Sequence, residues 1–180
     1  MKIVKRQPLF ILVIGTNGTG KTTLVLNDFV AKYKNKVLIV DADGMEQKWQ
    51  QFPLIEPQQI SNPTHRITRV LMQDEKTTIE NISNFTNGLV VLDDCRVYIS
   101  NRLEKPFRRL FIRRKQFCQD QIAVAHGISE IPSTFWTYAT HLILFKTTDS
   151  YLRQSSKDNI PRAKIDDINN AINFLNNQND

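Results

Sequence analysis

The sequence predicts a three-layer α/β domain built on a mostly parallel sheet, and three observations carry that prediction. Short apolar runs alternate with helical patterns along the chain. The first run, Leu9-Phe10-Ile11-Leu12-Val13-Ile14, leads into Gly15-Thr16-Asn17-Gly18-Thr19-Gly20-Lys21-Thr22. That octet fits glycine, four residues, glycine, lysine, threonine with no mismatch. A later run, Gly88-Leu89-Val90-Val91-Leu92, ends in the paired acids Asp93-Asp94.

The 180 residues are expected to form one domain, with a core over 9–149 and a helical tail over 150–180. A hydrophobic share of 41% belongs to an ordinary globular chain, and no apolar run is long enough to span a membrane. The start of the sequence runs into the first strand without a signal-peptide cleavage pattern, and Cys95 and Cys118 are too few for a disulfide scaffold. Both features lead to the expectation of a cytoplasmic protein. The net charge of +6 favours a polyanionic partner without identifying it.

The first element is a strand over 9–14, buried on both faces. The glycine-bearing octet then wraps a phosphate: glycines permit the dihedrals that aim successive N–H groups at an anion, and the next helix adds its positive end. Gly15, Thr16, Asn17, Gly18, Thr19, Gly20, Lys21, Thr22 and Thr23 are the expected nucleotide contacts. Lys21 reaches the β- and γ-phosphates, and the Thr22 hydroxyl is a ligand for Mg²⁺. A helix over 21–33 follows, with Leu26, Phe29, Val30 and Tyr33 as its apolar stripe.

Val37-Leu38-Ile39-Val40 is the second strand, ending in Asp41-Ala42-Asp43-Gly44. These acids stand either on the ligand-binding edge of the sheet or in an Asp-Gly turn. From 45 to 64, Pro53, Pro57 and Pro63 break any long helix. Trp49 and Phe52 in this stretch either stack on a base or pack an irregular insertion. Alternation over 67–72 allows a short strand, and a helix begins at Asp74 and stops at Asn87-Gly88.

The run 88–94 has the Walker B arrangement, complementing the Walker A octet. Asp93 emerges beside the phosphates to hold the Mg²⁺ shell, while Asp94 orients and deprotonates the attacking water. The second acid is usually Glu in hydrolases of this type, so Asp94 brings its carboxylate one methylene short.

Arg102, Lys105, Arg108, Arg109, Arg113, Arg114 and Lys115 make the most basic region. A helix over 106–118 places Phe107, Leu110, Phe111 and Cys118 on one face, with Arg114 in the middle of it. A guanidinium there needs a partner, either a buried carboxylate of this chain or a neighbouring subunit's nucleotide. The fourth strand, Gln121-Ile122-Ala123-Val124-Ala125, ends in His126. His126 is either a γ-phosphate sensor or a hydrogen-bonded strand-end histidine. A short helix over 131–138, a fifth strand over 141–145 and a helix over 165–175 complete the chain.

The paired acids and the polar residue ending the next strand point to a P-loop NTPase domain with the RecA-like strand order 5-1-4-3-2. No Leu-Ser-Gly-Gly-Gln transporter signature is present, and the stretch after strand five is short for an AAA+ lid. The octet 15–22, the pair Asp93-Asp94, and the unit from Arg113 to His126 resemble the FtsK/HerA superfamily of DNA-pumping ATPases. The compact form is similar to viral genome-packaging ATPases and, more loosely, to zonula-occludens-toxin-like phage assembly ATPases. The latter carry a membrane helix that this sequence does not show. His126 departs from the family's usual Gln or Asn.

The resemblance implies a homo-oligomeric ring that hydrolyses ATP with Mg²⁺ and moves DNA by phosphate contacts that read no sequence. It implies that Arg113 or Arg114 acts as a trans finger on the γ-phosphoryl. It also implies a capsid or membrane complex as a further partner, and a host-cytoplasm or virion location for a viral chain. Lys21, Asp94, Arg113, Arg114 and His126 are thus the expected catalytic set, with Thr22 and Asp93 at the metal. The alternatives are a small-molecule or nucleotide kinase, with its acceptor on Asp41, Asp43 and Trp49, and a nucleotide switch with little turnover.

Overall fold

A computed structural model of the chain describes residues 6–72, 75–94, 104–147 and 160–177. Within these, six strands form one parallel sheet: β1 (Phe10–Ile14), β2 (Lys36–Asp41), β3 (Ile67–Leu71), β4 (Gly88–Leu92), β5 (Asp120–Ala125) and β6 (His141–Leu144). Their spatial order is β3-β2-β4-β5-β1-β6. The expected five-strand order is present in it, with the short alternating stretch after residue 66 added as a sixth strand beside β2. Thr68 and Val70 of β3 face inward, as that alternation requires. The outer edge of β3 is covered by residues 53–55: Arg69 N–H donates to Pro53 O and Ile55 N–H to Arg69 O, each at 2.8 Å.

The helices are α1 (Lys21–Leu24), α2 (Gln47–Gln50), α3 (Glu75–Ile82), α4 (Glu104–Arg113), α5 (Ser133–Tyr138) and α6 (Arg162–Asn177). Every fully buried strand contributes to two cores at once. On β1, Phe10, Leu12 and Ile14 face α3–α6, while Ile11 and Val13 face the α1 side. That split is the three-layer arrangement. The larger core centres on Phe10, Phe107, Phe111 and Phe135, with Phe10 stacked on Phe111 at 4.4 Å and Phe111 edge-on to Phe135 at 4.8 Å. Truncating one such ring to Ala costs about 3–5 kcal/mol in general.

Three helices differ from expectation, and the simplest case is α3, which ends at Ile82 instead of running on to Asn87-Gly88. The helix after the phosphate loop is α-helical only to Leu24 and continues as a π-helical turn over Val25–Val30. Its buried side chains are Val25 and Val30, spaced for that wider turn, whereas Leu26, Phe29 and Tyr33 are only partly covered. α4 stops at Arg113 instead of reaching Cys118. Gln119 N–H donates to Arg114 O at 2.9 Å, and Cys118 takes a left-handed conformation (φ 50°) that closes the turn. Arg102 and Cys95 lie outside the described residues, as does most of the polar loop before α6.

The end of α4 fixes where its arginines stand. Asn87 N–H, just before β4, donates to Phe117 O at 2.9 Å, so α4 ends at the N-terminal edge of the sheet. The phosphate loop occupies the opposite edge, about 15 Å away along a five-residue strand. Arg113 is exposed, whereas Arg114 is 6% exposed. No carboxylate pairs with Arg114 among the described residues; its guanidinium donates to Phe111 O at 2.7 Å, its Nε finds no partner, and burial lowers its pKa. Among the described residues, a main-chain carbonyl and not a carboxylate is the group that meets it. A buried charge without a counter-ion is a net cost, so Arg114→Met is expected to raise the melting temperature in a thermal scan. A fall would mean that the carbonyl contact outweighs desolvation.

Candidate nucleotide-binding site

All the expected nucleotide and metal residues come together where β1, β2, β4, β5 and β6 end. Gly15 N–H donates to Ala125 O at 3.2 Å and Thr16 N–H to Lys146 O at 3.1 Å, clamping the loop's start between β5 and β6. A Cβ at Gly15 would lie 2.5 Å from that of Phe145, so nothing larger fits there. Gly20 precedes α1 with φ 91°, a conformation that L-residues with side chains avoid, and places no capping side chain on the helix's leading N–H groups. Inside the loop, Thr19 Oγ1 donates to Thr16 O, and Lys21 Nζ also donates to Thr16 O, both at 2.8 Å. Lys21 is 5% exposed. Its ammonium is folded over the loop onto that Thr16 carbonyl.

Asp93 and Asp94 follow β4. Asp93 N–H donates to Val40 O at 3.0 Å, which ties the acid to the end of β2. Its Oδ2 accepts from the indole Nε1 of Trp49 at 2.6 Å. Burial pushes the Asp93 carboxyl up to about 6; the Trp49 bond tempers this, and the charges of Asp41 and Glu46 add to it. The folded chain therefore keeps a proton that the unfolded chain releases between about pH 4 and 6, so this group's contribution to stability falls as pH rises through that window. Asp93→Asn should flatten the decline in melting temperature between pH 4.5 and 7, measured against the unmodified chain. Equal slopes in the two proteins would show that Asp93 is not the source.

Asp94 adopts a left-handed backbone (φ 47°), and its Oδ2 lies 3.8 Å from His126 Nε2. The sensor candidate thus stands beside the expected base at the end of the adjacent strand. Among the described residues no cluster of three or more His, Cys, Asp or Glu could hold a metal. The Thr22 hydroxyl and the Asp93 carboxylate fit Mg²⁺ in another way, as a sparse, all-oxygen set that phosphate oxygens and water would complete. When bound, the ion would neutralise charge on the β- and γ-phosphates.

Two participants escape a reading of motifs. Trp49 is fully buried, and its indole bonds directly to Asp93. Lys48 Nζ donates to Thr23 Oγ1 at 2.9 Å, beside Thr22. Asp41, in contrast, is a turn residue: its Oδ1 accepts from Gly44 N–H and its Oδ2 from Arg69, both at 3.1 Å, with 1% exposure. Of the acceptor residues expected for a kinase, Asp41 and Trp49 are thus enclosed and committed, while Asp43 is exposed and accepts from Met45 N–H at 3.0 Å.

A match to the family described as Zonular occludens toxin (Zot) spans residues 9–150. The chain belongs to the Zot family. The match takes in the phosphate loop, both acids, Arg113, Arg114 and His126. No curated protein matches this Zot-family chain. In structure it is similar to the genome packaging NTPase B204 from Sulfolobus turreted icosahedral virus 2. In that protein's complex with AMP the TM-score is 0.73 at 11% identity, covering 95% of this chain and 89% of that one. With AMPPCP the values are 0.71, 12%, 92% and 87%. The cytoplasmic domain of the Thermomonospora curvata Type VII secretion ATPase EccC gives 0.58 at 11%, covering 85% of this chain and 22% of that one. At such identities the likeness is one of fold, that of P-loop ATPases. No helix among the described residues of the Zot-family chain is long and apolar enough to cross a membrane.

Proposed function

We propose that this Zot-family chain is an ATPase motor that works as a homo-oligomeric ring and moves DNA. The observation that carries this reading is the separation of parts. The phosphate loop, Asp93 and Asp94 share one edge of the sheet, and the basic end of α4 stands on the other. Lys21 holds the β- and γ-phosphates, Thr22 and Asp93 hold Mg²⁺, and Asp94 orients the attacking water and takes its proton. His126 reads the γ-phosphate beside Asp94. Arg113, at the end of α4 on the edge opposite its own loop, is the arginine offered to a neighbour's γ-phosphoryl. Arg113, being exposed, is offered outward, whereas Arg114 is enclosed.

The DNA surface is the outer face of α4, where Lys105, Arg108 and Arg109 are exposed at helical spacing and Lys115 extends the patch. B204 is a genome packaging NTPase, and a similar task suits this chain. ATP turnover measured with and without duplex DNA tests the reading. DNA should raise the rate, and the gain should fade steeply between about 50 and 200 mM salt. The Arg108→Glu/Arg109→Glu double variant should lose the gain while keeping the DNA-free rate. Turnover indifferent to DNA at low salt, in a chain that light scattering finds monomeric with ATP, would overturn it.

A further inference from the structure

Trp49 stands outside every motif in the sequence, yet it touches an acid of the nucleotide site. The four-residue helix α2 that carries it is held from several sides. Glu46 accepts from Lys48 N–H at 3.1 Å, Gln50 Nε2 donates to Gly44 O at 3.0 Å, and the Trp49 ring is packed into the α1-side core. From this support two adjacent side chains reach the two elements read here as the metal's protein ligands. Lys48 bonds to Thr23, the neighbour of Thr22, and Trp49 bonds to Asp93.

We propose that α2 is a fixed wall of the magnesium site and that Trp49 is a positioning residue, its indole N–H holding the Asp93 carboxylate in the rotation that the ion's shell requires. A carboxylate has a broad torsion about its last bond, so an acid free to swing would have to be ordered whenever the ion arrives. The indole sits on a ring that is fully buried, and it donates at 2.6 Å to Oδ2, so that ordering is already built in. Trp49 does not touch the nucleotide; it acts through Asp93, as outer-shell partners act on metal ligands. The inference rests on the reading of Asp93 as the magnesium carboxylate, and it makes Trp49 a reporter of that site.

The sequence has two tryptophans, and Trp136 lies on α5 in the opposite core, so Trp136→Phe leaves Trp49 as the only indole emitter. In that full-length chain, Mg²⁺ added with a non-hydrolysable ATP analogue should change the Trp49 emission, and the same analogue in EDTA should not. Trp49→Phe should raise the Mg²⁺ concentration that half-saturates magnesium-dependent binding of a fluorescent nucleotide by about 10–100-fold. Nucleotide affinity in EDTA should stay the same. Should Trp49→Phe fail to fold, benzothienylalanine incorporated into the Trp136→Phe chain removes only the N–H and should give the same rise.

Asp93→Asn distinguishes the two ways of failing. If it abolishes the magnesium-dependent gain while removal of the indole N–H leaves that gain untouched, the positioning role is overturned. If Asp93→Asn keeps the gain, the metal reading itself falls and the inference falls with it.

Discussion

Lys21→Ala is expected to lower ATP turnover by about 10²–10³-fold, with a matching loss of nucleotide binding. The side chain is almost wholly enclosed, and its ammonium donates to Thr16 O of the phosphate loop. Removing it would leave the β- and γ-phosphates without their cation, and Thr16 O with the Thr19 hydroxyl as its remaining donor. Helix formation is not at issue, because Ala is the best helix former and position 21 opens α1. Turnover in a steady-state assay, with circular dichroism to confirm the fold, checks the prediction. A normal rate would sink the whole nucleotide reading.

Asp94→Asn is the sharper probe, since it should abolish chemistry and spare binding. Turnover should drop by about 10²–10⁴-fold, the usual worth of a positioned general base. The left-handed backbone at Asp94 accepts Asn as readily as Asp, so the replacement changes charge without straining the chain. Fluorescent-nucleotide affinity should be unchanged. An unaltered hydrolysis rate would show that Asp94 is not the base and would favour a nucleotide switch with slow turnover.

The strand order was legible because buried parallel strands write themselves as continuous apolar runs, and because the loop and the acid pair name two of those strands directly. β3 was legible too, through its alternation of Thr68 and Val70 with Ile67, Arg69 and Leu71. The Trp49–Asp93 bond was not. Trp49 lies in a stretch broken by prolines, where no period shows which way a side chain points, and its partner is 44 residues away. The early end of α4 was hidden for a different reason. The residues after Arg113 fit a helix by composition, and the turn is closed instead by Cys118 in a conformation that glycine more often supplies. Arg114 was correctly placed within an apolar face, but its partner is a main-chain carbonyl, which no side-chain pattern announces.

The π-helical turn after the phosphate loop has a metrical consequence. Ala31 N–H bonds back five residues, to Leu26 O, so the segment holds one residue more than an α-helix of the same hydrogen-bonded span. That surplus sets the azimuth at which the chain leaves the turn, and Tyr33 then delivers its hydroxyl to Asp120 at 2.7 Å, at the foot of β5. Excising a single residue between 25 and 30 would let the segment relax to α-helix without touching Lys21 or Thr22. The tyrosine would then swing away from Asp120, so one spare residue ties the segment after the phosphate loop to the foot of β5.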